Sequence, residues 1–214
     1  MTGSDPAASG GGPLLQLIAA GLQLWIRSQC EAVESLDLQL HGTALQMLRG
    51  QLQGLTLMAR RVVYQDLQIE QVQLSSGALQ VRVGKLLRGQ SFQLDHPLQV
   101  QGQVAFTADG LTGSLARPRW QGLADTLGEQ LLGLTPLKEL RIVGDALIFA
   151  AQAAGESRLM ELETCPRAVD GSLGLLSPEG ELRLRLPMDG AIHITTAKLE
   201  GGMLQLHGEA RVTP

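Results

Sequence analysis

Leu98-Gln-Val-Gln-Gly-Gln-Val104 sets an apolar or small residue at every second position and glutamine between them. Leu36-Asp-Leu-Gln-Leu40, Leu79-Gln-Val-Arg-Val83 and Leu182-Arg-Leu-Arg-Leu186 keep the same beat. A β-strand turns successive side chains to opposite faces, so each run has one apolar face and one wet face. The wet face is mostly Gln, with Arg and a few Glu, and it carries little that resembles catalytic chemistry. Such strands offer surface rather than reactive groups, which favours binding of something apolar.

Working outward, strands are expected at about 35–42, 52–64, 66–74, 78–84 and 97–107, and again at about 138–152, 157–165, 181–187, 190–200 and 202–212. Turn signals such as Ser75-Ser-Gly77 and Asp95-His-Pro97 punctuate the first group. The apolar beat changes phase between Ile69 and Val72, which predicts a β-bulge there. Thr43 to Gly50 reads as a helical turn. Two longer helices frame the strands. Residues 13–33 start at Pro13 and are apolar nearly all round, interrupted on one stripe by Gln16 and Gln23, so this helix is expected to be buried on several sides. The second is amphipathic: Trp120, Leu123, Ala124, Leu127 and Leu131 form one stripe, and Gly133 is placed to stop it. Helices segregated from meandering strands point to an α+β fold with an antiparallel sheet. Residues 1–12, Gly-, Ala- and Ser-rich, are expected to form a disordered tail before a single domain over 13–214.

A chain of 214 residues buries a core without staples. Hydrophobic residues make up 44% but aromatics only 3%, so the interior is built from aliphatic side chains. The formal net charge of −4 gives no general attraction for nucleic acid. Arg60-Arg61, Arg117 with Arg119, and Arg183 with Arg185 read as solvated strand faces. Cys30 and Cys165 fit no spacing motif and read as free, largely buried thiols rather than a disulfide. With no Asn anywhere, the 26 glycines are expected to supply the turns. The apolar run Leu14 to Ile26 lacks a preceding cationic flank and falls short of the ~20 residues that a spanning helix needs. A cytoplasmic protein, free or peripheral on the inner membrane face, is expected.

Reactive constellations are not apparent. No glycine-rich phosphate loop occurs, and His41, His96, His193 and His207 stand singly, without a metal-ligand spacing. No Gly-x-Ser-x-Gly elbow or paired interior carboxylates suggest hydrolysis. No enzyme activity, catalytic residue, metal or cofactor is therefore expected. Lys85-Leu-Leu-Arg88 is a candidate membrane-contact loop, with Leu86 and Leu87 between the cations Lys85 and Arg88; the competing reading packs both leucines into the core.

Leu48-Arg-Gly50 followed by Leu55, Leu57, Ala59, Val63, Leu67, Val72 and Leu74, after a long apolar helix and a short strand, resembles the LmeA-like phospholipid-binding family of bacteria. The resemblance spans about residues 13–212. It implies a tubular lipid-binding, BPI-like fold, in which a long N-terminal helix packs in a strongly curved antiparallel sheet and an apolar groove between them holds acyl chains. It implies a phospholipid or another acyl lipid as partner, with transient contact to a membrane surface. Candidate groove-lining residues are Leu17, Leu24, Leu57, Val81, Val104, Phe106, Leu123, Leu127, Ile142 and Phe149. Two other uses of the chain compete: an interaction module with a filled interior and a working Gln-rich outer face, and a hydrolase assembled from distant residues. An open apolar cavity of several hundred Å³ separates the first reading from the interaction module.

Overall fold

A computed structural model describes residues 13–43, 45–46, 49–80, 96–153, 155–156 and 158–213. The expected tail over 1–12, Val81 and the Lys85–Arg88 loop lie outside the described residues. In chain order the elements are α1 (Pro13–Gln29), β1 (Ala32–His41), β2 (Gln51–Leu52), β3 (Gly54–Tyr64), β4 (Leu67–Ser76), β5 (Leu79–Gln80) and β6 (Leu98–Thr107). There follow α2 (Ala108–Leu115), α3 (Gln121–Leu132), β7 (Leu137–Val143), β8 (Ala146–Gln152), β9 (Leu159–Val169), β10 (Ser172–Leu176), β11 (Leu182–Arg185), β12 (Ile192–Glu200) and β13 (Met203–Val212). The fold is α+β, with every strand pair antiparallel. One sheet has six strands in the order β1-β3-β4-β6-β13-β12, a second has five in the order β11-β10-β9-β8-β7, and β2 pairs with β5.

Tight hairpins set the register. Gln65-Asp66, Asp170-Gly171 and Gly201-Gly202 each place both central residues at positive φ, as a two-residue turn that matches strand twist requires. Glycine was expected to carry these turns, but Gln65, Asp66 and Asp170 take left-handed backbone as well. The expected strand over 138–152 is a hairpin, β7 and β8, reversing at Gly144-Asp145 with Gly144 at φ 58. β7 mixes Leu, Ile and Val with Lys138, Glu139 and Arg141 while β8 is almost wholly apolar, and Gly144-Asp145 marks the turn between them.

The predicted bulge near Ile69 takes another form. Val62↔Ile69 and Ala59↔Val72 keep one register, yet the core-facing residue steps from Ala59 to Val62 and from Ile69 to Val72. The same step occurs on β1, from Val33 to Leu36. Three strands thus change face together along a line through Glu34, Arg61 and Glu70, where Arg61 sits at φ 47 and forms an ion pair with Glu34.

α1 buries one stripe rather than all sides. Leu22 joins a core with Leu38, Leu57, Ala59 and Val62, flanked by Trp25 and Ile26. Leu17 and Leu24 point outward, 57% and 71% exposed. The Arg27 guanidinium ties the end of the helix to β1 through the carbonyl of Val33 at 3.1 Å.

α2 was not anticipated, because Gly110 and Gly113 depress helix propensity. It is fixed instead by caps and pins. The Thr107 hydroxyl accepts the Gly110 N–H at 3.1 Å as N-cap. Ser114 Oγ accepts the Gln68 N–H of β4 at 2.8 Å, and Thr112 Oγ1 accepts the Leu140 N–H of β7 at 2.9 Å. α2 therefore bridges the two sheets. α3 matches its expected stripe, with Ala124 and Leu127 buried, and stops at Gly133 in left-handed backbone, whose N–H returns to Glu129 O at 2.9 Å. Gly128 lets the following segment lie close: a Cβ there would stand 2.3 Å from Leu134 O. The sheets also meet directly, the Ile194 N–H of β12 donating to Gly171 O at 2.8 Å.

Candidate functional site

α2, α3 and both sheets turn their inward side chains towards one apolar cavity of about 380 Å³. Leu111 and Leu115 contribute from α2, Leu123 and Leu127 from α3. The five-stranded sheet supplies Leu140, Leu147, Phe149, Leu173 and Leu175; the six-stranded sheet supplies Leu67, Phe106, Leu204 and Leu206. Of the lining residues only Pro187, Asp189 and Ile192 are exposed, so the cavity reaches solvent at the β11–β12 connection, beside Met188.

The polar groups at the wall are already bonded. Ser114 donates to Gly110 O at 2.6 Å while accepting Gln68 N–H, and its side chain is buried. The Trp120 indole N–H donates to Gln65 O at 2.8 Å. The Asp189 carboxylate accepts the Ala191 N–H at 2.8 Å, folding back on its own turn. A wall of this kind suits hydrocarbon, since no buried polar group is left seeking a partner from a ligand.

The expected lining residues divide. Phe106, Leu123, Leu127 and Phe149 stand together on the wall. Ile142 and Val104 pack behind it in the adjoining core clusters. Leu57 lies in the core under α1, and Leu17 and Leu24 face outward from that helix. The cavity is bounded by α2 and α3 rather than by α1. Sequence reasoning missed Leu111 and Leu115 because it missed α2, although their i, i+4 spacing was a usable signal. It missed Leu173 and Leu175 because the short strand β10 was not foreseen.

The opposite face of the six-stranded sheet is wet. It carries two shallow depressions of about 350 and 380 Å³, one bounded by Gln73, Ser75, Gln101, Gln103, His207 and Glu209, the other by Asp37, Arg60 and Gln71. His193 and His207 are on the neighbouring strands β12 and β13, where His193 pairs with Glu209 and His207 with Thr196. Among the described residues no group of three or more His, Cys, Asp or Glu could hold a metal ion. Proton affinities shift away from the cavity: burial, and then Glu31, push the half-buried Cys30 thiol up, while a hydrogen bond from Ser177 lowers Glu179 and one from Lys198 lowers Glu200. Cys30 and Cys165 are both free thiols.

A family model described as LmeA-like phospholipid-binding matches residues 10–209, nearly the whole chain. No curated protein and no solved structure matches it. Among the described residues no helix is long and apolar enough to cross a membrane.

Proposed function

The chain belongs to the LmeA-like phospholipid-binding family, and on that premise we propose that the cavity between α2, α3 and the two sheets holds an acyl chain of a phospholipid without catalysing a reaction on it. The observation that carries this reading is the lining of the cavity: its about 380 Å³ are walled mainly by Leu and Phe, whereas the depressions of like volume on the opposite face are lined by Gln, Arg, His and Glu. That volume falls in the range of small-molecule sites, of order 300–1,000 Å³. Each methylene buried there contributes about 0.8 kcal/mol. The open end at Pro187 and Ile192 leaves the polar headgroup in water, where its solvation is kept. An interaction module with a filled interior would not keep such a space.

The test is direct. Protein purified without detergent is extracted with organic solvent, and co-purifying lipid is identified by mass spectrometry, alongside titration with a fluorescent fatty acid. Recovered phospholipid and saturable probe uptake are the expected results. Neither lipid nor uptake would remove the reading.

A further inference from the structure

Strand pairing sets the two ends of the cavity far apart. Ile192 pairs with Ala210, which stands beside Val100 and, through it, level with Ser76 at the end of β4. Leu67, another lining residue, begins that same strand, next to the Gln65-Asp66 turn. At roughly 3.3 Å per residue the lining runs along about 30 Å of sheet. Leu206 and Leu204 line it at intermediate levels, opposite Val104 and Phe106.

The two ends differ in what covers them. At the Ile192 end Pro187, Asp189 and Ile192 are all exposed. At the Leu67 end the lining residues Leu67, Leu111, Leu115 and Trp120 are half-buried and Ser114 is buried. α2 is held over this end by the Gln68 N–H, which donates to Ser114 Oγ at 2.8 Å. Trp120 lines the cavity and still keeps part of its surface in water, so its ring stands between the two. One turn residue fixes it there: the indole donates to Gln65 O, and the neighbouring Arg119 guanidinium donates to Gln65 Oε1, each at 2.8 Å. With its N–H bonded, the ring offers the cavity apolar surface alone. An apolar cavity of about 150 Å³ admits benzene, which is about 25 Å³ for each carbon. On that scale the volume of about 380 Å³ takes a single chain of about 15 carbons.

We propose that Trp120 is the length stop of the cavity: an acyl chain enters at the β11–β12 connection, keeps its polar end there, and ends with its methyl group against the indole. The proposal rests on the reading of the cavity as an acyl-chain site. Solvation sets the direction, because the exposed end lets a carboxylate or phosphate keep its water.

A series of saturated fatty acids of increasing length, competing with a fluorescent fatty acid, tests it. Each buried methylene strengthens binding about fourfold, so wild-type affinity should climb with length and stop climbing at about 15 carbons. In Trp120→Ala the climb should continue for about two or more further carbons, into the space the ring vacates. An unchanged stopping length in folded Trp120→Ala overturns the proposal. A second measurement leaves Trp120 in place. The chain has two tryptophans, so in a Trp25→Phe background Trp120 is the sole indole. Bromine at the methyl end of a bound fatty acid should quench its emission, and bromine beside the carboxyl should not. Equal quenching, or the reverse order, overturns the proposal as well. Absent binding of every fatty acid removes the acyl-chain reading and the stop with it, whereas binding with either contrary result removes the stop alone.

Discussion

At one end of the molecule α1 lies beside β1, and Leu22 shares a core with Leu38, Leu57, Ala59 and Val62. At the other, α2 and α3 lie against two sheets, and Phe106, Leu127, Leu147 and Phe149 leave about 380 Å³ between them. The side chains are of the same kind at both ends, so the difference lies in what holds the walls. One helix on one sheet can settle until its leucines interdigitate, as dense packing favours. The second end has polar pins: Thr112 to Leu140, Ser114 to Gln68, and Ile194 to Gly171. Collapsing the walls would break those partly buried hydrogen bonds, each costing up to about 1–3 kcal/mol if left unmade. An aliphatic core thus becomes a cavity where hydrogen bonds, rather than contacts between leucines, set the spacing.

The largest expected contrast is between two leucines of nearly equal burial, Leu22 at 4% and Leu127 at 3% exposure. Leu22→Ala should cost about 3–5 kcal/mol in urea unfolding, and Leu127→Ala about 2, because Leu127 already borders empty space. Equal losses would mean that both ends are packed alike. Adding volume should reverse the pattern. Ala59→Phe overfills the α1 core at a cost of about 1–3 kcal/mol, whereas Leu123→Phe fills cavity space, leaves stability near wild type and lowers affinity for a fatty-acid probe at least tenfold. Undiminished probe affinity in Leu123→Phe would put the ligand elsewhere.

Ser114→Ala tests the pins. It strips the acceptor from Gln68 N–H, so a loss of about 1–2 kcal/mol and weaker probe binding are expected, the second because α2 is free to sink inward. A stability loss with full probe affinity would show that the wall keeps its position without this bond.

The smallest effect belongs to Cys30, beside the α1 core. Burial, and then Glu31, raise its thiol above the ordinary value of 9.0. In a Cys165→Ser background, iodoacetamide should label it at pH 8.5 more slowly than free cysteine, since less thiolate is present. Because the folded chain holds this proton more tightly than the unfolded one, the associated stability is present below pH 9.0 and is lost as pH rises past the raised value. Labelling as fast as free cysteine would place the thiol in open water and loosen the account of that end.

Legibility followed the reach of the signal. α3 was plain because five residues from Trp120 to Leu131 fall on one stripe and Gly133 ends it. Most strands were plain from period-two alternation. α2 was hidden by its glycines, which serve close approach to Thr107 and Gln68: a Cβ on Gly110 would stand 2.9 Å from Thr107 Oγ1, and one on Gly113 equally near Gln68 Nε2. The exposure of Leu17 and Leu24 was illegible for the opposite reason, since an apolar residue does not announce which side of its helix has a neighbour. Phe106, Leu123, Leu127 and Phe149 could be named in advance because wall and core ask for the same side chains.

By itself the sequence determined an antiparallel α+β fold, an aliphatic interior, a wet glutamine face and membership in a lipid-binding family, because alternation, helical stripes and family positions are local or in register along the chain. Tertiary structure decided which apolar residues surround a space and where that space opens. Those depend on distances between α2, α3 and two sheets, set by hydrogen bonds between residues as far apart as Gln68 and Ser114, and no periodicity in the chain encodes them.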